Sequence, residues 1–166
     1  MKPVVEPEKL KPLFYWAGLT LHACQQLEYG IKALMVAMAE AGITGFDLNE
    51  SIAVIENERK KTLGQALRML SDRVEIDPEL GARLDEAVAV RNRFIHGFLP
   101  DAADRIADPT TRDEVVSEIK MMRAAVLEGD LALKHIIGAF YAATGRDWDQ
   151  MTAGWTERVR AMNDPA

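Results

Sequence analysis

Residues 21–38 read LHACQQLEYGIKALMVAM, and the spacing of their apolar side chains decides the fold class. At about 100° per residue, these side chains and those just before them fall on one stripe of a helix. The stripe consists of Leu13, Ala17, Leu21, Cys24, Leu27, Ile31, Leu34, Met35 and Met38. The pattern therefore predicts a long first helix from about Pro12 to Ala41, which Gly42 ends.

The rest of the sequence also shows helical periodicity, with little of the period-two alternation that is typical of strands. Asp77 followed by Pro78 is a strong helix start, because a capping carboxylate precedes a proline at the first helical position. After the first helix, we predict a short helix capped by Asp47 and reaching Ile55, a helix capped by Thr62, and a helix from Pro78 to Gly97. A loop through Pro100 and Pro109 follows. The last two predicted elements are a long helix from Thr110 or Thr111 to Gly145 and a helix from about Asp147 to Met162. We expect an all-α chain, a single domain over residues 1–166 folded as an antiparallel four- to five-helix bundle.

Composition narrows the classes of function. The 166 residues are 48% hydrophobic and 28% charged, with a net charge of −6, which disfavours a protein that coats nucleic acid but allows one local basic site. The one cysteine, Cys24, cannot form an internal disulfide, so we expect a cytoplasmic protein. One cysteine and three scattered histidines predict no metal site, and we expect no cofactor. The longest apolar run, residues 33–39, is too short to span a bilayer, so we expect no membrane partner.

The stretch RNRFIHGF, residues 91–98, places a cation where an apolar side chain is expected. With Leu80 set at 0° on the predicted helix, Arg91 falls at about 20°, in the middle of the apolar stripe. A charged group that faces a core is costly unless it is paired, and arginine does not lose its proton. Arg91 therefore needs a carboxylate, a second subunit or a ligand anion as its partner.

Glu28 is the candidate carboxylate. With Leu13 at 0° it falls at about 60° on the first helix, among apolar residues, so we expect a Glu28–Arg91 ion pair across the bundle. His96 would project away from Arg91 on an unbroken helix, at about 160° from Leu80. Gly97, however, predicts that the helix ends here with His96 at its C-cap, where the helix dipole favours a cation.

The segment RNRFIH resembles the signature of the HEPN superfamily, in which an arginine, often followed by a polar residue, precedes a histidine by four to six intervening residues. Here four residues separate Arg91 from His96, and Asn92 fills the polar position. The segments LEYGIKALM and KKTLGQALRML are also similar in style to bacterial members. The resemblance implies a bundle of four or five helices that forms a two-fold homodimer, with two copies of the motif facing one cleft.

The resemblance also implies a function, which is metal-independent RNA cleavage in a toxin–antitoxin or defence setting, with a cognate antitoxin as a partner. Arg91 would hold the phosphate, His96 would act as acid or base, and Asn92 would position them. Arg93 and Glu28 are further candidate substrate-binding residues. Two alternatives stay open: a non-catalytic module of the same fold that binds a nucleotide or a protein, and a structural protein in which Arg91 and Glu28 form only an interior salt bridge.

Overall fold

The structure, a computed structural model, describes residues 7–44, 46–47, 51, 63–72 and 75–145. Within these ranges the chain is helical and has no strand, which confirms the all-α prediction. The elements are α1 (Pro7–Glu40), α2 (Leu63–Ser71), α3 (Pro78–Arg93), a π-helical turn (Phe94–Phe98), α4 (Leu99–Asp101), α5 (Ala103–Ala107) and α6 (Arg112–Thr144). None of these helices is both long and apolar enough to cross a bilayer.

The chain divides into two compact units, Met1–Leu133 and Lys134–Ala166, and the division falls inside α6. The first unit contains every candidate site residue. In the second unit, residues 134–144 continue α6, and Ile137 and Tyr141 are buried one helical turn apart.

Three predicted features lie wholly or mostly outside the described residues. These are most of the short helix after Asp47, the Thr62 cap, and the last helix from Asp147 to Met162.

The predicted apolar stripe forms the buried face of α1, because its members repeat at the helical period along 34 residues. Seven of its nine residues are buried, and Ala17 is half-buried. Leu21 departs from the prediction, since 42% of its surface is exposed. The helix thus has an apolar side chain on its outer face, near its middle.

Helix ends follow the predicted capping chemistry at three places. The Asp77 carboxylate accepts hydrogen bonds from the backbone N–H of Glu79 (3.0 Å) and Leu80 (3.2 Å), so it caps α3. Gly42 and Gly145 have φ values of 72° and 63°, the left-handed conformation that closes a helix. After Gly42, the N–H of Ile43 donates to Met38 O at 3.0 Å, a bond typical of this closure.

The predicted stop at Gly97 is wrong. Gly97 lies inside the π-helical turn, and the backbone stays right-handed helical through Leu99 (φ −68°, ψ −44°) before α4 ends at Asp101. Phe98 is buried and holds the chain on its helical path. Most of the loop predicted around Pro100 is accordingly helical, as α4 and α5.

Within the first unit, α1 and α6 run in parallel. The Thr20 hydroxyl lies 3.4 Å from Ile119 O, and a Cβ placed on Gly30 would lie 2.6 Å from Leu133 Cδ2, so residue numbers rise together along the two helices. Helix α3 runs antiparallel to both, which matches the predicted antiparallel bundle only in part.

The crossing of α3 and α6 fixes that direction. A Cβ placed on Gly129 would lie 2.2 Å from Ala87 Cβ, and Arg83 reaches Glu128 at 3.8 Å, whereas the charge of Arg93 acts on Glu118 at the other end of the crossing. Gly129 is the residue that permits this close approach of the two backbones.

Candidate functional site

The predicted ion pair between Glu28 and Arg91 is present. Arg91 Nη2 on α3 donates a short hydrogen bond to Glu28 Oε2 on α1. Lys32, one turn further along α1, places its Nζ 2.9 Å from the other oxygen, Oε1. One carboxylate therefore bridges two cations, and the side chains of Arg91, Glu28 and Lys32 are only 16%, 28% and 11% exposed.

Burial and charge act in opposite directions on Glu28. Burial alone would raise the pKa of its carboxyl group, because it disfavours the charged form. The hydrogen bond from Lys32 and the charge of Arg91 outweigh burial, so the pKa lies below its ordinary value of 4.5. Glu28 is therefore ionised at neutral pH and acts as the counter-charge of Arg91.

Only part of the hydrogen-bonding capacity of Arg91 is used. Its Nη1 donates to Asn92 Oδ1 at 3.0 Å, so Asn92 orients the guanidinium. Arg91 Nε is buried and has no hydrogen-bond partner among the described residues. A guanidinium has five N–H donors, and an unsatisfied buried donor costs about 1–3 kcal/mol.

Cys24 lies one helical turn before Glu28 on α1, and its side chain is buried beside the site. Burial raises the pKa of its thiol from 9.0 to about 11, although the positive charge of Arg91 acts in the opposite direction. The thiol is therefore protonated at neutral pH, and only 1% of the residue surface is exposed. Such a thiol is unreactive and contributes to the packing of the core.

His96 lies in the π-helical turn and is exposed to solvent. The prediction that it caps a helix C-terminus is wrong, because the helix continues past it. In a π-helical turn the backbone bonds run from i to i+5, so one residue more than in an α-helix fits into the turn. Phe94 and Phe98 are buried, with ring centroids 6.3 Å apart, and they hold this turn against the core.

Arg93 faces a different direction from Arg91. Its guanidinium carbon lies 5.6 Å from the centre of the Phe98 ring, at the rim of a small cleft that Asp101, Ala102 and Arg105 also line. Arg105 is tied to Glu118 by a short ion pair. That hydrogen bond is the main reason why the pKa of Glu118 is lowered, and the charge of Arg93 adds to it.

The structure thus brings Arg91, Asn92 and Glu28 into direct contact and places His96 on the surface one turn further along the same helical segment. Lys32 was missed by sequence reasoning, although its spacing of four residues from Glu28 is a usual signal for a helical ion pair. Among the described residues, no group of three or more His, Cys, Asp or Glu side chains could hold a metal ion.

Comparisons of this chain with protein-family models, with curated proteins and with solved structures find no match.

Proposed function

We propose that this chain is a HEPN-type, metal-independent endoribonuclease that works as a two-fold homodimer in the cytoplasm, in a toxin–antitoxin or defence setting. The observation that carries the proposal is Arg91. It is a nearly buried cation with an unpartnered Nε, and an exposed histidine follows five residues later. The resemblance to the HEPN Arg-x4-His signature implies that these two residues act together in RNA cleavage.

The proposed chemistry uses the substrate's own nucleophile. The ribose 2′-oxygen attacks the adjacent phosphorus, the bond from phosphorus to the 5′-oxygen breaks, and His96 accepts the proton of the 2′-hydroxyl. The departing 5′-oxygen takes up a proton from the His96 of the second copy in the dimer. Arg91 binds the phosphate oxygens and stabilises the charge that develops on them. The products are a 2′,3′-cyclic phosphate and a 5′-hydroxyl.

The exposed apolar residues beside the site support the dimer. Leu21 (42% exposed) lies two turns before Glu28 on α1, and Ile95 (38% exposed) lies one turn after Arg91. Because α1 and α3 are antiparallel, both steps lead toward the same end of the site. A second copy that covers this patch would place its own Arg91 and His96 nearby.

The non-catalytic module is the second candidate, and one observation favours it. Glu28 already supplies Arg91 with a carboxylate, so a phosphate has to compete with an ion pair inside the protein. In that case the Glu28–Arg91 pair would stay intact, and the module would bind a protein partner without turnover.

The test compares the purified wild-type protein with His96→Ala on a panel of mixed-sequence RNAs. We expect His96→Ala to lower the cleavage rate about 10²–10⁴-fold, the usual contribution of a positioned acid–base group. His22→Ala is the matched control, because His22 is also exposed but lies on α1 outside the site, and it should cleave like the wild type. Equal cleavage by the His96→Ala and His22→Ala variants would rule out the proposed His96-dependent ribonuclease.

The proposed homodimer can be tested separately from the cleavage reaction. Leu21→Arg should convert the dimer to a monomer in light scattering at micromolar concentration. Leu131→Arg, at a residue 46% exposed on α6, is the control and should leave the assembly unchanged. A wild-type protein that is monomeric under these conditions would contradict the dimer.

A further inference from the structure

His96 lies at the centre of the π-helical turn Phe94–Phe98, and the first half of this turn changes the angle between Arg91 and His96. In an unbroken α-helix, residues five apart project about 140° from each other, so the two side chains would point to nearly opposite sides. A π-helical turn accommodates one more residue, so each residue rotates the chain through a smaller angle. The angle between Arg91 and His96 is therefore smaller than the 140° of an unbroken α-helix.

A second pair with the same spacing shows the effect directly. Arg93 and Phe98 are also five residues apart, and the guanidinium carbon of Arg93 lies 5.6 Å from the centre of the Phe98 ring. In an α-helix the usual neighbours are three or four residues apart, so this contact at i and i+5 is consistent with the wider turn. Arg91 and His96 have the same spacing, and the second part of their separation, from Phe94 to His96, runs through the turn.

The turn is held by packing, and its backbone begins at ordinary helical angles. Phe94 and Phe98 are 6% and 3% exposed, and both anchor its inner side. The backbone angles at Arg93 (φ −58°, ψ −47°) and Phe94 (φ −62°, ψ −47°) are ordinary helical values. The outer side of the turn presents His96 to solvent.

We propose that this π-helical turn is a positioning element, which orients His96 so that its imidazole and the Arg91 guanidinium act on one phosphate group. The inference rests on the proposed function and adds a structural requirement to it. π-Helical turns are rare in proteins, and those that occur are often found at functional sites. Here the turn converts an arginine–histidine spacing that is unsuited to an α-helix into a usable one.

Two single-residue deletions test the proposal, since each removes the extra residue and restores an α-helix while later residues keep their places. Deletion of Gly97 leaves Arg91 and His96 five apart, on nearly opposite sides. Deletion of Ile95 leaves them four apart, on the same side. We expect the Gly97 deletion to lower RNA cleavage about 10²–10⁴-fold, as loss of His96 would, and the Ile95 deletion to remain at least tenfold more active.

Circular dichroism and thermal melts establish that each variant is folded, and light scattering establishes that each is dimeric, because Ile95 belongs to the proposed dimer patch. Where the wild type cleaves RNA, a folded Gly97 deletion that cleaves within tenfold of the wild type would overturn the proposal, and so would equal activity of the two deletions.

A titration with inorganic phosphate, followed by NMR signals of the Arg91 Nε–H and the His96 ring, separates this inference from the enzyme and also decides the case if a deletion does not fold. We expect both signals to respond with one shared Kd in the wild type, and the His96 response to be lost in the Gly97 deletion. Responses with different affinities, or none, would overturn the positioning role. A shared response without any RNA cleavage would reject the enzyme and leave the positioning role standing.

Discussion

Replacing Glu28 with alanine strands the charge of Arg91, and the cost can be estimated from the burial of the pair. Removing one partner of a fully buried ion pair costs about 3–5 kcal/mol, whereas an exposed pair contributes about 0–1 kcal/mol. The Arg91 and Glu28 side chains are 16% and 28% exposed, which places them nearer the buried limit. We expect Glu28→Ala to lower the free energy of unfolding by about 2–3 kcal/mol.

Replacing Arg91 should lower the free energy of unfolding less than replacing Glu28. Arg91→Met leaves Glu28 with Lys32 as a partner at 2.9 Å and removes the unsatisfied Nε, so we expect it to cost about 1 kcal/mol or less. The double variant should then be more stable than Glu28→Ala alone, because the charge of Arg91 is no longer stranded.

Urea unfolding followed by far-UV circular dichroism measures these differences, and Glu28→Ala should also lower Tm by about 4–12 °C in a chain of this length. The matched control is Glu79→Ala, which breaks the pair with Arg83 at 2.6 Å, where the side chains are 75% and 40% exposed. The control should cost about 0–1 kcal/mol. A Glu28→Ala cost within about 0.5 kcal/mol of the control would refute the reasoning, because the pair would then behave as a surface contact.

Three further outcomes follow from other contacts. Because the folded-state pKa of Glu28 is lowered, its stabilising effect is present above pH 4.5 and is lost as the pH falls through the folded-state pKa; the stability gap between wild type and Glu28→Gln in urea melts should therefore narrow below pH 4.5. Gly129→Ala should destabilise the protein by about 1–3 kcal/mol through its 2.2 Å clash with Ala87, whereas Gly18→Ala, with nothing within 4 Å, should stabilise it by about 0.5–1 kcal/mol, both read from melts. Cys24 should react with a thiol reagent at pH 8 only in denaturant, because burial raises its pKa to about 11; rapid reaction of the folded protein would contradict this.

The sequence predicted the features that depend on periodicity and on local capping chemistry. The stripe of α1 and the Asp77 cap are examples, because each follows from side-chain spacing or from a side-chain hydrogen bond within one turn. The Glu28–Arg91 pair was also predictable, since two opposite charges on two apolar stripes leave few other partners.

The path of the chain after Arg91 could not be predicted in the same way. Gly42 and Gly145 adopt positive φ and end their helices, whereas Gly97 stays helical. A glycine permits a left-handed turn without requiring one, and at Gly97 the burial of Phe98 decides the outcome. The π-helical turn itself depends on tertiary packing of two phenylalanines, for which the local sequence gives no specific signal.

The chemistry of the cut RNA ends tests the proposed ribonuclease most directly. The account predicts that the wild-type protein cleaves RNA in the presence of EDTA and leaves 2′,3′-cyclic phosphate or the derived 3′-phosphate, because the nucleophile is the 2′-hydroxyl and no metal takes part. RNA carrying 2′-methoxy groups should then resist cleavage, and His96→Ala should be slower by about 10²–10⁴-fold. Cleavage of the 2′-methoxy substrate, or RNA left uncut by the wild-type protein, would contradict the account.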